Sequence, residues 1–204
     1  MKKQIATLIL AAGFASISPA ETLTFDFKDA KGVNNAVFKL DAPLEAISGS
    51  ANGVSGTVKF DPENPAATTG KIVVTADTLH VPNPMMKEHM HGAQWMDVAQ
   101  HKELTFEAKS LKNVKTDGNK TTADAVGTMT MKGVSKAQTV PVTITYLKDK
   151  LGARSNGQMQ GDLLVIRSTF TVKRSDFGIN PSAPTDKVAE EIELTLSIAG
   201  AAAK

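Results

Sequence analysis

Hydrophobic and polar positions alternate with period two along most of this chain. Leu23, Phe25 and Phe27 alternate with Thr24 and Asp26, and Val54, Gly56, Val58 and Phe60 share a face opposite Thr57 and Lys59. The same alternation runs through Leu104, Phe106 and Ala108, through Val140, Val142, Ile144 and Tyr146, through Ser168, Phe170 and Val172, and through Ile192, Leu194, Leu196 and Ile198. Side chains of a strand point alternately to its two faces, so this pattern predicts half-buried antiparallel strands. Richness in Thr and Val supports it. Turn residues punctuate the runs at Asp61–Pro65, Thr116–Asn119 and Lys148–Gly152. Strands of this length, each with one apolar face, predict an all-β sandwich or barrel. The Ala-rich tail from Ala199 to Lys204 is expected to fray.

One stretch departs from this period. Asn83 offers an N-cap and Pro84 the first helical position, and Met86, His89, Met90 and Ala93 then fall at helical spacing. This predicts a short helix over 84–91, with an irregular turn carrying the chain to Trp95, Met96 and Asp97. A lone helix in a β chain belongs at one end of a barrel, where it can cover the mouth.

The first 20 residues read as a cleaved export signal. Lys2 and Lys3 precede an apolar run, and Ser18-Pro19-Ala20 supplies a small-residue cleavage site before Glu21. The run is short for a membrane span, which needs roughly 20 apolar residues. The reading is therefore a periplasmic or secreted chain with one domain over 21–204. Losing Lys2 and Lys3 lowers the 23 basic residues to 21, against 21 acidic ones. A neutral domain has no global field to draw it to nucleic acid.

Candidate chemistry is sparse. With no cysteine, thiol catalysis, disulfides and cysteine-ligated zinc are excluded. His89 and His91 form an HxH pair flanked by His80 and His101, but i and i+2 on a helix sit about 200° apart and cannot chelate together. His89 is expected to face inward or cap the helix, with His91 facing water. Neither HExxH nor GxSxG is present, and Glu103, Glu107, Glu191 and Glu193 alternate outward as a solvated face. No metal, cofactor or catalytic set is assigned and the chain is not read as an enzyme, although a His-dependent metal enzyme remains a rival, as does a ligand-free β-sandwich module. The methionines are more telling. Met85, Met86, Met90 and Met96 cluster in or beside the helix, and Met129 and Met131 share a strand face. Flexible thioethers suit irregular apolar surfaces, and aromatic residues make up only 5% of the chain. Few rings and many slim side chains leave room for a lined cavity.

Five blocks in order then carry a family resemblance: Gly56–Asp61, Glu88–Asp97, His101–Ala108, Gly127–Val134 and Phe170–Ile179. Over roughly residues 50–198 the chain resembles the YceI family of bacterial secreted lipid-binding proteins. The resemblance implies an antiparallel, lipocalin-like β-barrel of about eight strands, with the short helix at an end. It also implies an elongated apolar pocket that sequesters or carries a long-chain amphiphile: an isoprenoid quinone, a polyisoprenoid or a fatty-acyl derivative. Met90, Trp95, Met96, Phe106, Met129, Phe170 and Phe177 are the expected ligand-binding residues, with His89, Arg174 and Asp176 as polar contacts. Gly178 is expected at positive φ, with Phe177 against the interior and Arg174 paired with Asp176 or with backbone. The chain departs from the family at Asn34-Asn35, where a His-Ser pair is usual, at Asp41 in place of a second His, and at His101-Lys102 in place of Tyr-Pro. The expected partners are the lipid itself and, for loading, a transient membrane contact; a homodimer is compatible with the sequence.

Overall fold

The computed structural model describes residues 22–29 and 31–204, so the proposed signal segment lies outside the described residues. Its elements are β1 (Leu23–Asp26), β2 (Asn35–Asp41), β3 (Ala46–Ala51), β4 (Val54–Phe60), β5 (Thr69–Thr75), α1 (Pro84–His91), β6 (Glu103–Asp117), β7 (Lys120–Met131), β8 (Val134–Leu147), α2 (Leu151–Arg154), β9 (Gly161–Lys173) and β10 (Glu191–Ala203). All pairings are antiparallel, and β1 bonds both β4 and β10, which closes the ring β1-β4-β5-β6-β7-β8-β9-β10. The wall thus has eight positions, as the resemblance implied, and closure excludes the sandwich alternative that the alternation left open. The helix runs over Pro84–His91 as its capping signals required. A second single turn, α2, occupies part of the stretch read as a plain turn.

Two wall positions are each split in two. β1 and β2 both run against β10, with Asp26 opposite Ala201 and Asn35 opposite Ser197. β3 and β4 likewise follow one another, separated by Asn52 and Gly53. The loop between β1 and β2 is organised by Asp29, whose carboxylate accepts the N–H groups of Lys31, Val33 and Asn34. Asn34 then replaces the missing ladder. Its Oδ1 accepts from Ala199 N at 2.8 Å, and its Nδ2 donates to Ala199 O and Phe27 O at 3.1 Å. Asn34 is thus a buried amide that stands in for strand backbone.

One end of the barrel is solid. Phe25, Phe27, Phe60, Leu164 and Ile198 are buried, and the Tyr146 ring packs edge-on to Phe25 with centroids 6.2 Å apart. The Tyr146 hydroxyl donates to Asp162 Oδ2 at 2.8 Å, while Asp149 N and Lys204 Nζ meet Oδ1. Burial first, then this hydrogen bond to a carboxylate, push the Tyr146 phenol up to about 12. The C-terminal tail does not fray. β10 pairs with β9 as far as Ala203 opposite Gly161, and Lys204 N bonds Gln160 O. The small residues that made the tail look weak are what let it pass over the Phe27 ring: a Cβ on Gly200 would meet that ring at 2.6 Å. The close approach of backbone to aromatic core orders the tail.

Candidate functional site

The other end of the barrel is hollow. An inner chamber of about 160 Å³ lies between the walls, lined by slim side chains such as Val58, Gly70, Ala108 and Ala125 and by Phe106, Met129 and Phe170. Its hydroxyls do not make it wet: Ser168 Oγ is turned into the sheet and donates to Pro141 O at 2.6 Å. An outer chamber of about 280 Å³ lies beyond it, under α1. Phe38, Leu79, Leu104, Met131 and Leu194 line both, so the two chambers adjoin at a waist of five apolar residues.

Local sequence places the roof of the outer chamber. Asn83 accepts the N–H of Met86 at 3.1 Å, which caps α1, and Pro84 starts it without an orphan donor. One face of the helix then presents Met86, His89 and Met90 to the chamber, while Met85 faces away and is 67% exposed. Gly92 O accepts from Trp95 N and Asp97 N, which turns the chain back so that Trp95 and Met96 also line the chamber.

A buried arginine fixes the opposite side of the mouth. Arg174 has no exposed surface, and its guanidinium donates to the carbonyls of Ile179, Asn180, Ala183, Val188 and Ala189. It thereby ties the segment 179–189 over the barrel rim, where Ile179 and Val188 join the lining. Its carboxylate partner is Glu190 at 3.5 Å, and its guanidinium also lies 5.8 Å from the Trp95 ring centroid. The Ser175 hydroxyl donates to Glu190 and is the main cause that holds that carboxyl below its ordinary value; burial opposes it, and the Ser175 N–H and the charge of Arg174 assist.

The expected site residues divide between these regions. Met90, Trp95, Met96, His89 and Arg174 border the outer chamber, and Phe106, Met129 and Phe170 the inner one. Two expectations are corrected. Phe177 is buried beside Phe38, Met96 and Ile179 and lines neither chamber; Gly178 at φ +63° turns the chain just after it, as anticipated. Asp176 is exposed and does not pair with Arg174, because the guanidinium faces inward toward the 179–190 segment while Asp176 lies on the outer side of the corner. His91 also departs from its expected place, while His89 borders the chamber as expected. His89 is exposed at the chamber's edge, whereas His91 is half-buried with Nε2 2.8 Å from Leu79 O, because its side of the helix packs on the segment after β5. No group of three or more potential metal ligands occurs among the described residues.

Leu40, Ile47, Leu79, Val81 and Glu45 also line the outer chamber and were missed from sequence. The apolar pattern Phe38, Leu40 and Ile47 in 35–51 was the available signal for Leu40 and Ile47. Nothing local marks Glu45, which stands in the exposed loop between β2 and β3.

A closed antiparallel barrel, packed solid at one end and hollow under a helix at the other, is the class of structure that encloses an apolar guest. The YceI-like domain model matches residues 22–200, and the chain belongs to that family. UPF0312 proteins are similar: one from Pseudomonas paraeruginosa is 28% identical over 98% of both chains, and one from Yersinia pestis is 28% identical over 78% of this chain and 75% of its own. Among solved structures, BcnA of Burkholderia cenocepacia shares the fold at a TM-score of 0.66 and 21% identity, over 81% of this chain and 95% of that one. A polyisoprenoid binding domain from Saccharophagus degradans does so at 0.64 and 8% identity, over 89% and 99%.

Proposed function

We propose that this protein sequesters or carries a long-chain amphiphilic lipid, isoprenoid or fatty-acyl, outside the cytoplasm. The observation that carries the reading is the pair of adjoining apolar chambers, one between the barrel walls and one under α1. Burying an alkyl chain yields about 0.8 kcal/mol per methylene. About 15 methylenes therefore offer on the order of 12 kcal/mol gross before association costs. So large an apolar gain needs few polar contacts, which suits the sparse chemistry of the lining. The fold shared with the polyisoprenoid binding domain of Saccharophagus degradans supports the isoprenoid arm of this reading. Export through the Ser18-Pro19-Ala20 site belongs to the same proposal, and N-terminal sequencing of the mature protein checks it.

Native mass spectrometry of the protein purified from its own host is expected to show an adduct that organic extraction releases as an isoprenoid or acyl lipid. An empty protein that takes up neither isoprenoid quinone nor fatty amide contradicts the reading. Stoichiometric zinc, copper or iron lost on His89→Ala would favour the metal-enzyme rival instead.

A further inference from the structure

The polar groups at the mouth differ sharply in how free they are to meet a guest. Three lining residues of the outer chamber carry ionisable or charged side chains: Glu45, His89 and Arg174. Arg174 is the full cation of the set, but all its nitrogens are engaged. Nε serves Ala189 O, one terminal nitrogen serves Ile179 and Asn180, and the other serves Ala183, Val188 and Glu190. A guanidinium in that position cannot turn to a second anion without releasing the 179–190 segment. Glu45 is in the opposite situation. It stands on the loop where Ala42 N bonds Glu45 O, and it takes part in none of the ion pairs among the described residues. As a lining residue of the chamber it brings to the mouth an acceptor that repels negative charge.

Resting on the lipid-binding reading above, we infer that the mouth selects the lipid's head: it takes an uncharged or cationic hydrogen-bond donor, such as an alcohol, primary amide or amine, and disfavours phosphate and diphosphate heads. Glu45 is the specificity-determining residue. His89, exposed at the same edge, adds an imidazole that can accept from the same donor. Arg174 shapes the mouth and does not bind the head.

The single tryptophan of the chain, Trp95, lines the chamber and reports occupancy by fluorescence. Three probes with one tail separate head from tail: geranylgeraniol, geranylgeranylamine and geranylgeranyl diphosphate, each titrated into delipidated protein. The alcohol and amine are expected to bind about tenfold tighter than the diphosphate, a difference of about 1.4 kcal/mol. Glu45→Gln narrows the gap and Glu45→Lys reverses it, and both variants keep the wild-type melting temperature because the loop is exposed. Diphosphate binding as tight as the alcohol, or a gap unchanged in Glu45→Lys, overturns the inference and leaves the lipid reading standing. Failure of all three probes, and of an acyl amide, to bind overturns the lipid reading with it.

Discussion

The two ends of this barrel are built from the same alternating strands and differ in what fills them. At the β10 C-terminal end, Phe25, Phe27, Phe60 and Tyr146 converge, and a rim of ion pairs and hydrogen bonds seals the ring through Arg154, Asp29, Asp162 and Lys204. At the α1 end Phe38, Phe106 and Phe170 stand apart among Met, Val, Leu, Ala and Gly around open space. The difference lies in how the rings are used: at one end they pack on one another, at the other they line a cavity with flexible side chains. Rigid rings interlock to one arrangement, whereas thioethers can adjust to a guest. The solid end secures the fold so that the hollow end can remain hollow.

Phe27→Ala should have the largest effect. It removes a fully buried ring that also seats Gly200, and should cost roughly 3–5 kcal/mol in chemical denaturation, with lipid affinity unchanged in the folded fraction. Arg174→Met should follow, at about 3 kcal/mol, because it orphans buried carbonyls across 179–189 and loosens the mouth, so retained lipid should also exchange faster. Met129→Ala, in the hollow half, should cost only about 2 kcal/mol, the low end for such a truncation, since it enlarges a space the protein already keeps. Equal losses for Phe27 and Met129 would erase the contrast between the ends.

The smallest effects are those of pH; Glu190 contributes at the mouth, and the other shifted groups that bear on the contrast lie at the solid end. Burial opposes ionisation of Asp29, but the N–H groups of Asn34, Lys31 and Val33 and the charge of Arg154 outweigh it and hold the carboxyl below its ordinary value of 3.8. Asp162 is lowered in the same way, against burial, by Asp149 N, the Tyr146 hydroxyl and Lys204. Carboxyls lowered in the folded state add stability that is present above 3.8 and is lost as pH falls below it. Tyr146, raised from 10.0 to about 12, stabilises fully below pH 10, and that contribution is lost as pH rises between those values. Melting temperature against pH should therefore fall on both limbs. Tyr146→Phe should flatten the alkaline limb and, by removing one donor to Asp162, also reduce the acid limb slightly.

Much of the fold was legible because period two and capping chemistry are local. Phe25, Phe27, Val58 and Phe60 showed their inward face directly, and Asn83-Pro84 marked the helix start to the residue. What sequence concealed depends on distant backbone. Asn34 reads as a turn residue until Ala199 is seen beside it, and Ala199–Ala203 reads as a loose tail until Phe27 is seen beneath it. The candidate site divides along the same line. Met90, Trp95 and Met129 could be placed by face and period, whereas the role of Arg174 depends on carbonyls up to fifteen residues away, and Asp176 was misjudged because only that fold of the segment turns it outward.

The central claim is that the hollow half holds the tail of a lipid, and tail length tests it most directly. Affinities of the ten-, fifteen- and twenty-carbon prenyl alcohols, read from Trp95 fluorescence, should rise steeply with each added unit, as successive apolar groups pass the Phe38–Met131 waist into the inner chamber. Ala125→Phe, which fills part of that chamber and leaves Trp95 the single tryptophan, should cancel the gain for the longest tail while sparing the shortest. Affinities that stay flat with tail length would contradict the account.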